Sequence, residues 1–235
     1  MLLGGPRAPF NAQELQDIRR YIEEGGRCVI MMNEGGEHKS NTNINAMLEQ
    51  VGISFNQDSV IRKTFHKYLH PKEAFIGNGC LNEELVKAAN GKLEEEENKP
   101  GKYSRKYKDT KDELANRDEN GGLKFVYPFG CTINVRKPAL TILSTGPISF
   151  PANRPIAALY TSPRKGKLFV IGSMQFFSDE FFEKEDNQKI QEAIFGWLLL
   201  SNCNLEANVK NEPELSEYHH VPDITALADR LRSCL

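Results

Sequence analysis

The sequence predicts an α/β domain in which helices pack on a largely parallel or mixed β-sheet. Three observations lead there. Amphipathic helical patterns alternate along the chain with short, continuous apolar runs. Two of those runs, Cys28 to Met32 and Lys167 to Gly172, suit strands covered on both faces, as in parallel sheets. The chain has 235 residues, 39% of them hydrophobic, which is enough to bury a substantial core.

The elements follow in order. Leu2-Leu3 reads as the end of a strand and leads into the Gly4-Gly5-Pro6 loop. Asn11 is placed to cap a helix, with Glu14 closing a capping box and Phe10 and Leu15 forming a hydrophobic staple. Leu15, Ile18 and Ile22 share one face, and Gly25-Gly26 stops the helix. After the Cys28 to Met32 strand comes the turn Asn33-Glu34-Gly35-Gly36-Glu37. A short helix then carries Ile44, Met47, Leu48 and Val51 and ends at Gly52. Two short extended pieces fall between Ile53 and Ile61. Phe125 to Val135 is a further extended region, and Ala139 to Leu143, Pro155 to Tyr160 and Lys167 to Gly172 are strands. A last helix runs from about Asn187 through Leu200, burying Ile190, Ile194, Trp197 and Leu198.

This α/β unit is expected to span residues 1–203. It is interrupted by a charged insertion at 91–122. From Lys92 to Glu119, 17 of 28 residues are charged, eight basic and nine acidic, and almost nothing there could be buried. The expectation is a solvated, partly disordered excursion whose deletion leaves the fold intact. Residues 204–235 read as a linker followed by an amphipathic C-terminal segment. Its apolar positions Ile224, Leu227 and Leu231 could fold back on the domain or enter a partner's groove.

A net charge of −2 argues against a nucleic-acid binder, which would show a basic excess. No apolar run approaches the length of a membrane span, and no secretory signal opens the chain. Five widely spaced cysteines without a CxxC pair fit a reduced, intracellular protein.

Several places could carry chemistry. Glu34, Gly35, Gly36 and Glu37 follow a buried strand, where open α/β sheets bind ligands, but they lack a phosphate-binding glycine pattern and the two acids would repel an anion. Ser178 and Asp179 follow the Lys167 to Gly172 strand at a comparable edge. Packing by Phe176, Phe177, Phe181 and Phe182, with capping by Ser178 and Asp179, explains that stretch equally. On a helix, His66 and His70 would share a face as two metal ligands do, but Lys67 stands where a zincin glutamate belongs and no third ligand is evident. No cysteine occupies a nucleophile elbow. No catalytic set, metal or cofactor is therefore expected.

Longer blocks carry a resemblance. Gly4-Gly5-Pro6-Arg7, Tyr21 to Gly26, Asn33 to Glu37, Thr42-Asn43-Ile44-Asn45 and His66 to Glu73 resemble the N-terminal domain of the intraflagellar transport protein 52 family, shared with bacterial gliding-motility transporter proteins. Phe125 to Gly130, Leu143 to Gly146, Asn153 to Ile156, Gly172-Ser173-Met174 and Phe177-Ser178-Asp179 extend the likeness to nearly the whole chain outside the insertion. The resemblance implies a glutamine-amidotransferase-like, flavodoxin-like layered fold without its chemistry. It also implies a strand and helix ahead of the Gly-Gly-Pro loop and a longer C-terminal region, so the sheet of this chain is expected to lack its first strand. The implied role is a non-catalytic scaffold in the core of intraflagellar transport complex B, needed to build cilia and flagella. Other complex B subunits would be its partners, and cilium, flagellum, basal body and cytoplasm its locations. The competing reading from the fold is a small-ligand-binding or hydrolase- or amidotransferase-like enzyme using the Glu34 to Glu37 and Ser178-Asp179 edges.

Overall fold

The computed structural model describes residues 1–97, 122–201 and 204–205. Ile224, Leu227 and Leu231, and residues 98–121 of the expected insertion, lie outside the described residues.

A central sheet organises the domain. Its strands are β1 (Leu2–Gly4), β2 (Arg27–Met31), β8 (Leu140–Ser144), β10 (Pro155–Thr161) and β11 (Lys167–Ile171), in the order β1-β2-β11-β10-β8. β1, β2 and β11 run parallel, in a register that aligns Leu2 with Val29 and Val29 with Phe169. β10 is antiparallel to both β11 and β8, with irregular register between Pro155 and Ala158. The sheet is therefore mixed, and its parallel part is confined to three strands. Three antiparallel ribbons flank it: β3 (Ile53–Phe55) with β7 (Ile133–Val135), β4 (Ile61–Arg62) with β9 (Ser149–Phe150), and β5 (Glu73–Ile76) with β6 (Phe125–Pro128).

Side-chain alternation sends each buried strand to both faces. Val29, Met31, Phe169 and Ile171 join Ile190, Ile194, Trp197 and Leu198 in one core. Cys28, Ile30, Leu168 and Val170 join Ile18, Ile22, Ile44, Met47 and Leu48 in the other. That two-sided burial is why these strands read as unbroken apolar runs.

α1 (Ala12–Glu23) begins as its sequence dictates. Asn11 Oδ1 accepts from Glu14 N at 2.8 Å, and Asn11 N donates to Glu14 Oε2 at 2.8 Å. Phe10 and Leu15 pack on the same core as Ile18 and Ile22, and Gly25 takes φ +103° just beyond the helix. α2 (Gly36–Ser40) is a short helix that its sequence does not announce. α3 (Asn45–Leu48) continues as a 3₁₀ turn to Val51, and Gly52 ends it at φ +86°. α4 (Glu83–Glu97) is a further helix outside the elements expected from the sequence. It is held by Leu85 and Ala89, both buried in the first core, and its backbone stays helical through 91–97 inside the expected insertion. α5 (Asp179–Phe182) is a single turn. α6 (Asn187–Phe195) widens into π-type winding over Gly196–Leu200 and buries Ile190, Ile194, Trp197 and Leu198. Among the described residues no helix is long and apolar enough to cross a membrane.

Candidate functional site at the carboxyl edge of the parallel strands

The parallel strands end at Gly4-Gly5, Met32-Asn33 and Gly172-Ser173, the edge where α/β folds hold ligands. Here the chain itself crosses that edge. Residues 128–132 lie over it: Cys131 N donates to Gly172 O at 3.0 Å, Glu34 N donates to Phe129 O at 3.0 Å, and Val60 N donates to Gly130 O at 2.9 Å. Ser173 Oγ donates to Pro128 O, and Tyr127 OH donates to Cys131 O at 2.7 Å. The fit leaves no room at Gly172, where a Cβ would stand 2.1 Å from Cys131 O and 2.6 Å from Tyr127 OH.

The Asn33 to Glu37 turn is equally occupied. Gly36 has φ +53°, and a Cβ there would stand 2.3 Å from Asn56 O. Glycine is thus required by the backbone approach itself. Glu34 pairs with Lys39, with Lys72 at 2.6 Å, and accepts from Ser59 Oγ at 3.2 Å. Burial acts to raise its carboxyl, but hydrogen bonds and positive charge from Lys39 and Lys72 outweigh it and hold the group at about 2. A carboxylate so fixed is a poor proton acceptor near neutral pH. Glu37 accepts from Asn45 N and so anchors the first turn of α3; burial is the main cause that raises its carboxyl above the usual value.

Ser178 sits at the start of α5, but its hydroxyl turns back to donate to Gln175 O at 2.8 Å, while Asp179 is exposed. No hydrogen bond or ion pair among the described residues joins either one to Glu34 or Glu37. Phe176 and Phe181 are buried, and edge-to-face contacts link Phe176 with Phe125 and Phe177, and Phe177 with Phe169 and Phe195. The stretch is a packing joint.

His66 and His70 do not share a helix face, because residues 63–71 form an irregular loop. Each ring lies against a phenylalanine: His66 on Phe75, with centroids 4.5 Å apart, and His70 on Phe129, 4.7 Å apart. No group of three or more His, Cys, Asp or Glu among the described residues could hold a metal. Burial pushes the Cys28 thiol up to about 11 and Cys80 up to about 12. It also pushes Cys131 well above its ordinary value, helped by the charge of Asp58. Such thiols are not activated nucleophiles.

Sequence reasoning missed the residues that close this edge. Asp58 accepts from Thr132 N at 2.8 Å and Thr132 Oγ1 at 2.6 Å, and its carbonyl accepts from Gly35 N at 2.8 Å. Asn56 and Asn134 extend the polar chain across the β3–β7 ribbon. The one local signal was the turn-forming Pro128-Phe129-Gly130, and its partners lie far away in sequence.

A family model described as the IFT52 GIFT domain matches residues 1–211. This chain belongs to that family. Its relatives include the mouse protein described as intraflagellar transport protein 52 homolog, 42% identical over 236 residues, covering 100% of this chain and 52% of that one. The human protein of the same description is 41% identical, covering 100% of this chain and 51% of its own length. The chain thus spans about half the length of the curated relatives it matches. A solved structure described as the mmIFT52 N-terminal domain is similar, with a TM-score of 0.71 and 39% identity, covering 87% of this chain and 78% of its own. The GIFT-family fold and the closed carboxyl edge are thus found in the same chain.

Proposed function

We propose that this chain is a domain of a non-catalytic scaffold or adaptor subunit in the core of intraflagellar transport complex B, needed to assemble and maintain cilia and flagella. The observation that carries the reading is family membership across residues 1–211, reinforced by 42% identity to the mouse homolog over the whole chain. The site geometry supports it. The ligand crevice of the fold is filled by residues 128–132, its best-placed acid is locked in ion pairs, and the buried thiols are held un-ionised. A domain with its crevice closed acts through its outer surfaces. Its partners are other complex B subunits, and its places of work are the cilium or flagellum, the basal body and the cytoplasm. The test is rescue of cilium length in cells lacking the full-length protein. Wild type and the Glu34→Gln/Asp179→Asn double variant should restore cilia equally. Failure of wild type to rescue refutes the transport role, and selective failure of a well-folded double variant refutes the non-catalytic one.

A further inference from the structure

We propose that the loop of residues 61–72, together with Ile148 and Phe150, is a docking surface for an acidic peptide segment of a partner protein that carries large apolar side chains. Five large apolar residues stand out of the surface here: Ile61 is 36% exposed, Phe65 70%, Leu69 86%, Ile148 50% and Phe150 47%. They form one patch. Ile61 pairs directly with Phe150 across β4 and β9. The Arg62 guanidinium lies 4.7 Å from the Phe65 ring centroid and donates to the carbonyls of Tyr68 and Leu69. Lys63 Nζ donates to Pro147 O at 3.5 Å, beside Ile148.

The exposure does not come from a loose loop. Arg62 N donates to Pro71 O at 3.0 Å, closing the loop at its base. Tyr68 OH donates to Glu185 Oε1 at 2.7 Å and Lys67 Nζ binds the same oxygen at 2.6 Å, tying its far side to the body of the domain. Fixed backbone with outward phenylalanine and leucine is the arrangement of an interface anchor, since rigid apolar side chains contribute most to binding when their ordering has already been met. Contiguous patches of this kind are rare on proteins that make no contacts.

Charge decides the occupant. Between Asp58 and Glu73 the chain carries Arg62, Lys63, Lys67 and Lys72 and no acid. Lys67 is paired with Glu185 and Lys72 with Glu34, whereas Arg62 and Lys63 have no carboxylate partner among the described residues. Two unneutralised cations beside an apolar row match a segment that brings a few carboxylates along with its apolar anchors. An anionic membrane is the poorer match, because recognition of that kind takes clusters of roughly four to eight available basic residues.

The test uses the full-length protein in ciliated cells, with a photoreactive amino acid in place of Leu69 and the cross-linked peptides identified by mass spectrometry. The expected result is a cross-link to an acidic, apolar segment of another protein. It should fall about tenfold or more with Phe65→Ser, the effect of losing a central aromatic anchor, and fall also with Lys63→Glu. Lys63→Glu alone decides if Phe65→Ser lowers the melting temperature. No cross-link, a cross-link to lipid, to this chain or a second copy of it, or to a segment without carboxylates overturns the proposal. If the captured protein is not a transport subunit, the docking surface stands, and the transport reading fails only if no transport subunit co-purifies. If transport subunits co-purify while Leu69 captures nothing, the reverse holds.

Discussion

Replacing Gly172 by alanine tests whether the carboxyl edge is closed as described. The new methyl carbon would stand 2.1 Å from Cys131 O and 2.6 Å from Tyr127 OH. The first neighbour is backbone, so relief requires residues 128–132 to retreat by about 1 Å or more, to reach ordinary contact distance. That movement strains the Cys131 N to Gly172 O bond and the Tyr127 OH to Cys131 O bond, both buried. Overpacking in a filled core costs about 1–3 kcal/mol, and a buried hydrogen bond contributes about 1 kcal/mol net. The expected loss is about 2–4 kcal/mol, which for a domain of this size lowers Tm by about 4–16 °C. Thermal unfolding by circular dichroism measures it. Tyr127→Phe alone should cost about 1 kcal/mol, and the double variant should cost less than the sum, because both changes act on one contact. A Gly172→Ala protein melting within about 1 °C of wild type would show that residues 128–132 do not fill the crevice.

Other outcomes follow from the same structure. Glu34 has its carboxyl depressed from 4.5 to about 2, so its ion pairs contribute stability above pH about 4.5 and lose it as the pH falls towards about 2; Glu34→Gln should lose less stability across that window than wild type, and equal losses would contradict the pairing. Asn187→Ala removes an amide that accepts from Val126 N at 3.0 Å and donates to Val126 O and Phe181 O; stranding those buried groups should cost about 2–4 kcal/mol in chemical denaturation, and a loss below about 0.5 kcal/mol would remove that role. Trp197→Ala should cost about 3–5 kcal/mol, as it empties a buried site of the first core; a near-neutral result would mean the core is not packed there. At pH 8 about one in a thousand or fewer of the Cys28 thiols is ionised, so iodoacetamide should modify Cys28 and Cys131, both buried, only after unfolding. Rapid labelling of either in the native protein would disprove their burial.

The layered fold was legible because its signals are local. The Asn11–Glu14 box, the glycine stops at Gly25 and Gly52, and the apolar runs of β2 and β11 each act within a few residues. The expectations for Ile18, Ile22, Ile44, Met47, Leu48 and Val51 were met for the same reason, since every one of these side chains is buried. What escaped was built from long-range pairing. Asn43, Asn45 and Asn187 each clamp both backbone groups of a single distant residue, namely Phe10, Phe55 and Val126. In sequence those asparagines look like turn or cap residues. β5, β9 and α4 were hidden because their burial comes from neighbours supplied by other parts of the chain.

The state of the candidate edge was not legible in the sequence. Glu34 and Glu37 stand where a ligand-binding loop would place them, yet their partners Lys39, Lys72, Ser59 and Asn45 convert both into structural groups. Lys72 and Phe129 reach this edge through the β5–β6 ribbon, a pairing that local pattern does not encode.

Quantitative mass spectrometry of the tagged full-length protein, purified natively from ciliated cells, tests whether the domain works as a scaffold within a transport assembly. Other intraflagellar transport complex B subunits are expected in amounts close to that of the protein itself. Recovery of the protein in high yield with none of those subunits would contradict that role.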